Sequence, residues 1–305
     1  MIIEGVLPII KPVDFTSHDV VAKVRRILGI KRIGHTGTLD PKVTGVLPLC
    51  IGRATRVVEY IQDLPKEYEA RLILGIRTDT EDMTGNVLET ASLIQVTEEQ
   101  VTEAIHSFVG LIEQIPPMYS AVKVNGKRLY ELARNGEEIE RQPRTVTIHH
   151  IDLIHMNLEL LHPAIQFRVS CSKGTYIRTL CADIGKKLGV PAVMSELVRT
   201  ATGSITIDQC VSIEETAVLF ETGRLGQVII PTDLAIPHLP FFSIPVLLVA
   251  SVLQGKSIPT EALKPLPASH LSLKAIKLYA PDGIFLGIFK TDMTSGLVQP
   301  VKVFN

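Results

Sequence analysis

The sequence has few cysteines, no long apolar run and no large excess of charge of either sign. Its four cysteines form no C-x-x-C pair, so neither a disulfide framework nor a cysteine zinc site is indicated. Glu4 and Pro8 interrupt the apolar start, which does not fit a secretory signal peptide. No stretch reaches the roughly 18 apolar residues of a membrane span. These absences predict a cytoplasmic protein with reduced thiols and no membrane association.

A net charge of −1 over 305 residues argues against a nonspecific polyanion binder, because such proteins are usually strongly basic. The charge is nevertheless uneven, since nine basic residues stand against three acidic ones between Lys11 and Arg56. A positive face in this segment would attract phosphates. A solvated basic helix face is the simpler alternative, and charge alone favours it.

The chain length predicts one large domain and one small domain. Apolar periodicity predicts helices over 16–29, 54–64, 96–110 and 175–189, and strands over 45–52, 66–76, 145–154 and 164–172. Pro48 predicts a bulge or an edge position for its strand. A proline cluster at 231–245 and the short strands beyond it predict domains over 1–236 and 237–305. The expected fold is α+β (mixed α/β) with a large, mainly antiparallel sheet and a small β-rich C-terminal domain.

Two motif matches carry little weight. The segment ASVLQGKS, residues 250–257, matches a relaxed phosphate-binding loop, but the prolines that follow disfavour the long helix such a loop requires. A helix that stops at Gly255 is the simpler interpretation. The histidines at 149, 150, 155 and 162 lie on or beside strands without an acid or cysteine at a metal-ligand spacing. No metal and no cofactor is expected.

The loop GHTGTLDPKVTGVLPLCIG, residues 34–52, holds Asp40 between a Gly-Thr run and Pro41. A residue before proline is driven toward extended backbone, so the carboxylate is expected to point in a fixed direction. An ordinary Asp-Pro turn is the competing interpretation. This segment alone does not decide between a turn and a chemical role.

Residues 117–144 form a polar segment with six basic and four acidic side chains. Asn-Gly pairs and flanking prolines predict a protruding hairpin and helix. With little apolar surface to dock on a core, the segment is expected to be mobile alone and to order when phosphates neutralise it. A rigid surface hairpin without an RNA role is the alternative.

Six motifs in order between Lys11 and Ile205 give these observations a context. They are KPVDFTSHDVV, GHTGTLDPKVTGVLPLCIGRATR, KEYEA, QIPPMYSAVKVNGKRLYELARNGEEIERQPR, CSKGTYIRTL and ELVRTATGSI. Together they resemble the TruB family of bacterial tRNA pseudouridine-55 synthases. Residues 237–305 are similar to the accessory PUA-like RNA-binding domain of that family, and 117–144 to its RNA-binding insertion.

The resemblance implies roles for particular residues. Asp40 matches the essential catalytic aspartate, Tyr68 the tyrosine that stacks on the flipped uracil and helps remove its C5 proton, and Arg178 the arginine that pairs with the aspartate. Further residues of these motifs are expected to bind the RNA: His35, Leu197, Lys11, Thr38, Lys127 and Arg128. The substrate implied is uridine 55 in the TΨC loop of the tRNA T arm, bound by a monomer without guide RNA.

Three residues depart from the family pattern. Asp14 stands where glycine is common, so the backbone there is expected to differ, Val43 replaces an alanine, and Val198 replaces an arginine that would contact phosphate. Two alternatives remain open. A guide-RNA-dependent, dyskerin-like enzyme is disfavoured by the lack of basic tails and of sequence after the small domain. A non-catalytic RNA-binding or tRNA chaperone protein would need the basic face but no chemistry.

Overall fold

The computed structural model describes residues 3–124, 126–137, 139–264, 273–292 and 294–305. The strands are β1 (Gly5–Lys11), β2 (Ile33–His35), β3 (Thr44–Ile51), β4 (Lys66–Leu74), β5 (Ile76–Thr78), β6 (Val87–Thr90), β7 (Gly110–Gln114), β8 (Lys123–Val124), β9 (Lys127–Arg128), β10 (Arg144–Asn157), β11 (Ala164–Cys171), β12 (Ala192–Thr202), β13 (Ile205–Thr206), β14 (Phe241–Ser243), β15 (Ile258–Pro259), β16 (Ile276–Tyr279), β17 (Phe285–Asp292) and β18 (Leu297–Val303).

The α-helices are α1 (Ser17–Leu28), α2 (Val58–Gln62), α3 (Glu98–His106), α4 (Leu129–Arg134), α5 (Ile177–Leu188), α6 (Ile213–Glu221) and α7 (Val246–Leu253). Short 3-10 turns lie at Gly52–Val57, Ile207–Gln209, Leu225–Gln227 and Thr260–Ala262. No helix in the described part of the chain is both long and apolar enough to cross a membrane.

A large sheet runs in the order β1-β3-β12-β4-β11-β10-β7, with β2 beside β3 and β13 beside β12. Only the β3–β12 contact in this sheet is parallel. Strands between residues 241 and 303 form a separate five-stranded sheet. The α+β fold class and the mainly antiparallel sheet are therefore confirmed.

Helix α1 begins and ends where its sequence indicates. The Thr16 side chain accepts a hydrogen bond from the Asp19 backbone N–H, and the Asp19 carboxylate accepts one from the Thr16 backbone N–H. This capping box satisfies two amides that would otherwise lack partners. Gly29 ends the helix at φ 67°, a left-handed conformation that favours glycine.

Pro48 lies inside the sheet, so the expected bulge or edge position was wrong. β3 pairs with β1 in unbroken register, and Pro48 stands opposite Pro8. The backbone N–H groups of Val6 and Ile10 point away from β3 toward other partners. By alternation, the nitrogen of Pro8 also points outward, so no ladder hydrogen bond is lost where the two prolines face each other.

Helices cover the large sheet and bury its apolar side chains. Val101 and Ile105 of α3 pack with Leu180 and Ile184 of α5 over strands β4, β10, β11 and β12. Helices α1 and α6 pack against each other beside β1 and β3. The packed helices therefore hold the long strands β4, β10, β11 and β12 in fixed positions.

The C-terminal sheet packs against the segment that follows β3. Arg53 donates a hydrogen bond to the Asn305 carbonyl over 2.7 Å, and Arg56 donates to Val303 and lies over the Phe304 ring. Lys302 pairs with Glu59 over 3.1 Å. Two of the basic residues between 11 and 56 therefore hold the C-terminal sheet, which reduces the positive face expected there.

The insertion contains the expected hairpin and helix, formed by β8, β9 and α4. Leu129 and Leu132 of α4 are buried, so the expectation of little apolar docking surface was wrong. The Tyr130 backbone N–H donates to the Ser120 carbonyl over 3.1 Å, which ties α4 to the base of the insertion. Helical spacing places both leucines on one face, and that face holds the helix to the molecule.

Candidate active site

The loop after β2 presents Asp40 at the mouth of a cavity of about 540 Å³. The Ser17 hydroxyl accepts a hydrogen bond from the Leu39 N–H over 3.0 Å, and the Asp40 carbonyl accepts one from the Val43 N–H over 3.0 Å. Gly37 has a φ of 141°, which disfavours any residue with a side chain. These contacts fix the loop, while the Asp40 side chain remains 47% exposed.

Arg178 joins Asp40 to the insertion and to the loop after β5. It lies in the first turn of α5, with its side chain only 6% exposed, and its Nη2 is 2.9 Å from Asp40 Oδ2. The same nitrogen donates to the Tyr119 carbonyl over 2.8 Å, and Nη1 donates to the Thr80 carbonyl over 2.9 Å. Asp82 lies 3.9 Å from Nε. These contacts hold the guanidinium in one orientation toward Asp40.

Gln114 fixes the backbone just before Arg178. Its side chain accepts a hydrogen bond from the Tyr176 N–H over 3.0 Å and donates one to the Tyr176 carbonyl over 3.1 Å. Both atoms of the buried amide are therefore used to hold the start of α5. Tyr176 itself lines the cavity, and the prediction missed it. The sequence could have indicated Tyr176, because it is an aromatic residue two positions before Arg178 in the motif CSKGTYIRTL.

Four side chains of β4 and β12 form the cavity floor: Lys66, Tyr68, Leu197 and Arg199. Tyr68 stands directly opposite Arg199 in the strand register, and Leu197 stands opposite Ala70. Burial raises the pKa of the Tyr68 phenol, and the neighbouring Arg199 guanidinium opposes that rise. The floor therefore combines an aromatic ring, an apolar side chain and two cations.

Arg199 is a second residue that the prediction missed. Only 1% of it is exposed, its Nε donates to the Val46 carbonyl over 2.6 Å, and its Nη2 lies 3.5 Å from the Gly37 carbonyl. A Cβ at Gly45 would come within 2.2 Å of the Arg199 carbonyl, so glycine is required where β3 crosses β12. The tertiary structure brings Arg199 to the cavity; its position within ELVRTATGSI gave no separate signal.

Lys11 and His35 lie behind the cavity wall. Lys11 is fully buried, and its ammonium donates to the carbonyls of Pro12, Phe15 and Pro41 over 2.6–3.0 Å. It therefore supports the residue that follows Asp40 and meets no solvent in this conformation. His35 packs edge-on against His18, with ring centroids 5.1 Å apart. Burial and the charge of His18 lower the pKa of His35.

The remaining predicted residues divide between the cavity and the insertion. Thr38 lines the cavity with Asp40, Tyr68, Arg178 and Leu197. Lys127 and Arg128 are exposed on β9, outside the set of residues that line the cavity. Five of the nine predicted residues are thus brought together, and the other four lie in the supporting layer or in the insertion.

The three departures have visible structural consequences. Asp14 has a φ of 67°, a left-handed conformation that favours glycine. Its carboxylate lies 2.6 Å from Lys42 Nζ. Val43 is buried against the cavity. Val198 lies between two floor residues of the same strand, so alternation directs it to the opposite face of the sheet.

Metal-binding clusters are lacking in the ranges that the structure describes: no group of three or more His, Cys, Asp or Glu side chains has metal-site geometry there. The cavity lining offers the exposed carboxylates of Asp40 and Asp63, a guanidinium paired with Asp40, the phenols of Tyr68 and Tyr176, and two buried cations. A carboxylate at the mouth of an aromatic-floored cavity suits a planar base held over the tyrosine.

Comparison with known proteins gives a consistent result. A family model described as TruB family pseudouridylate synthase (N terminal domain) matches residues 25–177, and one described as tRNA pseudouridylate synthase B C-terminal domain matches 178–236. A Bacillus licheniformis protein named tRNA pseudouridine synthase B is 46% identical, covering 98% of this chain and 97% of its own. The Bacillus subtilis protein of the same name is 44% identical, covering 99% and 97%.

Solved structures agree with these relatives. A chain in a structure titled H/ACA RNP bound to a substrate RNA containing 2'-deoxyuridine is 28% identical with a TM-score of 0.77. A chain of a Cbf5-Nop10-Gar1 complex is 30% identical with the same TM-score. Each match covers 99% of this chain and 85% of the other. With family models over residues 25–236 and relatives matched over nearly its whole length, the chain belongs to the TruB family of pseudouridylate synthases.

Proposed function

We propose that this protein converts uridine 55 in the TΨC loop of tRNA to pseudouridine, with Asp40 as the catalytic carboxylate. The observation that carries the proposal is the 2.9 Å pair between Asp40 and Arg178 at the mouth of a cavity floored by Tyr68 and Leu197. The tRNA substrate is inferred from relatives named tRNA pseudouridine synthase B at 44–46% identity.

The reaction rearranges one nucleotide without a net change in its atoms. The C1′–N1 bond breaks, the base turns, C5 forms a bond to C1′, and C5 loses its proton while N1 gains one. Asp40 starts this sequence by attack at C6, by attack at C1′ or by removal of the 2′ proton. Tyr68 stacks on the uracil and helps to remove the C5 proton, while Arg178 holds the Asp40 carboxylate in its working orientation.

The target base must leave its loop to enter the cavity. Flipping a nucleotide costs a few kcal/mol and less where the base is not in a duplex. Stacking on an aromatic ring returns about 1–3 kcal/mol, so contact with Tyr68 offsets part of that cost. The exposed Lys127 and Arg128 then serve to hold phosphates of the T arm and bring the loop to the cavity.

We further propose that the enzyme acts as a monomer and without guide RNA. The H/ACA-type structures keep the same fold at 28–30% identity, so guide dependence is the second candidate within the family. Identity of 44–46% to proteins named for tRNA favours stand-alone action. The PUA-like role of residues 237–305 as an accessory RNA-binding domain, and the boundary at 236, belong to the same proposal.

Tritium release from tRNA tests the proposal directly. Unmodified tRNA labelled with tritium at uridine C5 is incubated with the protein alone, and the released tritium is counted. Release shows C5 proton loss without guide RNA, and mapping of the modified nucleotide shows whether it lies at position 55. A tRNA with cytidine at position 55 is the matched control.

Each other outcome points to a different function. Release only after addition of a guide RNA would support the dyskerin-like alternative. Tight tRNA binding without release would support a non-catalytic binding protein. Release that persists with the cytidine control would place the modification elsewhere in the tRNA.

A further inference from the structure

Within the described ranges of the chain, two buried cations in the cavity floor have no carboxylate partner. Arg199 is 1% exposed and Lys66 is 7% exposed. Their polar atoms bond to backbone carbonyls: Arg199 to Val46 and Gly37, Lys66 to Gln62 and Leu64. The two acidic residues among the described residues that line the cavity, Asp40 and Asp63, pair with Arg178 and Lys173 instead.

An uncompensated buried cation is costly, because burial removes water from the charge and carbonyl dipoles replace only part of that hydration. Desolvation lowers the pKa of Lys66 to about 8, with the positive charge of Arg199 acting in the same direction. A buried cation beside a cavity therefore suits a site where the bound substrate supplies the negative charge. The remaining question is which group of the substrate supplies it.

The position of these cations points to the base. Lys66 and Tyr68 are two residues apart on β4 and therefore face the same side of the sheet. Arg199 stands directly across from Tyr68. A ring stacked on the phenol would therefore have both cations close to its edge, while Asp40 and Arg178 stand at the mouth of the cavity.

Each possible course of the reaction places negative charge on that ring. If Asp40 attacks C1′ or removes the 2′ proton, the electron pair of the breaking C1′–N1 bond stays with N1 and spreads onto the two carbonyl oxygens. If Asp40 attacks C6, the charge passes through C5 onto O4. In every case the base carries negative charge before C5 bonds to C1′, and again after C5 has lost its proton and before N1 has gained one.

We propose that Arg199 and Lys66 form an electrostatic site that stabilises the anionic uracil during the rearrangement. The inference deepens the proposed function and depends on it. Fixed cations in a water-poor site stabilise developing charge without reorganisation, and removing one such group typically costs about 10²–10³ in rate. Neither cation is needed for the docking of tRNA, which relies on exposed phosphate contacts.

A change of leaving group tests the inference. T-arm stem-loop RNAs are prepared with uridine or 5-fluorouridine at the target position, and single-turnover rates of C1′–N1 cleavage and C5–C1′ bond formation are measured by nuclease digestion and chromatography. The fluorinated product keeps its fluorine at C5, because fluorine cannot leave as a cation in place of the proton, and takes up water at C6. Fluorine withdraws electrons and stabilises the base anion, so the fluorinated substrate should depend less on the cations. For Arg199→Gln we expect about a 100-fold loss on uridine and a loss about tenfold smaller on 5-fluorouridine.

Charge-retaining and remote variants complete the design. Lys66→Met should show the same substrate-dependent loss, whereas Lys66→Arg should retain most of the rate. Arg168→Gln removes an exposed cation paired with Glu69 on the neighbouring strand and serves as the control. Thermal unfolding and RNA affinity identify any variant that fails to fold. If Arg199→Gln fails to fold, the comparison of Lys66→Met with Lys66→Arg tests the inference.

The outcomes separate the inference from the proposed function. Equal losses on both substrates would mean that the cations only support the fold, and full activity of Arg199→Gln and Lys66→Met would remove them from the reaction. Either result overturns the inference while wild-type turnover upholds the proposed function. A wild-type protein that rearranges neither RNA, nor intact tRNA, would overturn the function itself.

Discussion

The cavity floor and the insertion at 117–144 both carry positive charge, but they hold it in opposite ways. In the floor, Arg199 and Lys66 are buried on two long strands and bonded to carbonyls. In the insertion, Lys127 and Arg128 are exposed on a strand of two residues. Charge in a water-poor cavity acts strongly over short distances, whereas exposed charge is screened by salt. The floor is therefore suited to chemistry and the insertion to RNA affinity.

Hydrogen bonds also link the insertion to the Asp40–Arg178 pair. The Arg178 nitrogen that meets Asp40 also donates to the Tyr119 carbonyl at the base of the insertion. The next residue, Ser120, accepts a hydrogen bond from the Tyr130 N–H in α4. A single chain of contacts thus runs from the Asp40–Arg178 pair to the helix of the insertion.

The largest effect is expected from Asp40→Asn. The substitution keeps the size of the side chain but removes the negative charge that we propose begins the reaction, so tritium release should fall at least about 10³-fold, while tRNA affinity stays within about tenfold because phosphates supply most of it. Single-turnover release and filter binding measure the two quantities. Substantial residual turnover would remove Asp40 from the mechanism.

A smaller loss is expected from Arg178→Lys. Lysine keeps the positive charge but cannot maintain contacts with Asp40, Tyr119 and Thr80 together, because it lacks the planar fork of arginine. We expect about a 10–100-fold lower single-turnover rate with tRNA affinity nearly unchanged. A wild-type rate would show that a point charge beside Asp40 is sufficient.

Substitutions in the insertion should change the affinity for tRNA and not the reaction rate. Replacing Lys127 and Arg128 together by alanine should weaken tRNA binding about tenfold and reduce the salt slope by roughly 0.7 for each phosphate that is no longer neutralised. The rate at saturating tRNA should change little. In the wild type, hydrogen exchange across 117–144 should slow when tRNA binds, most clearly in β8 and β9. Exchange and affinity that both stay constant would contradict an RNA role.

The smallest effect is expected in the pH dependence of the unfolding free energy, which should differ between the buried Lys66 and the exposed Lys127. Because the pKa of Lys66 is lowered to about 8 in the folded protein, the unfolded chain holds the extra proton between pH 8 and its ordinary value of 10.5. The free energy of unfolding therefore gains a contribution that rises with pH in this window, by at most about 1.4 kcal/mol per pH unit. Lys11, with its pKa lowered to about 8 as well, contributes in the same direction.

Denaturant unfolding from pH 7.5 to 9.5 can detect this contribution. Lys66→Met should reduce the rise of unfolding free energy by about 1 kcal/mol per pH unit between pH 8 and 9.5. Lys127→Met, which removes an exposed ammonium from the insertion, is the matched control. An unchanged slope in Lys66→Met would mean that Lys66 keeps its proton on folding.

Much of the fold could be predicted because its signals are local. The capping residues of α1, the alternation of β4 and the glycine after α5 each act within a few positions of the chain. Pro48 was misjudged because the cost of a proline depends on where its nitrogen points relative to the partner strands. The apolar docking face of α4 was missed because two leucines in a mostly charged segment gave a weak periodic signal.

The candidate site was likewise predicted only in part. Asp40, Tyr68, Arg178 and Leu197 were named from motifs that resemble a family, and the fold brings all four to one cavity. Lys11 was expected at the RNA surface, but its ammonium is enclosed by three carbonyls. Tyr176 and Arg199 were missed although both lie inside quoted motifs, because a motif does not show which of its side chains face the cavity.

Local physical chemistry therefore indicated the long helices and strands and the α+β class, whereas the choice of Asp40 came from the resemblance to a family. Propensity, capping and alternation act between neighbours and can be read along the chain. Only the tertiary structure placed Arg199 across from Tyr68, Arg178 against both Asp40 and the insertion, and Lys66 out of water. Strand register and burial depend on residues more than a hundred positions apart, and the charge environment of the cavity follows from them.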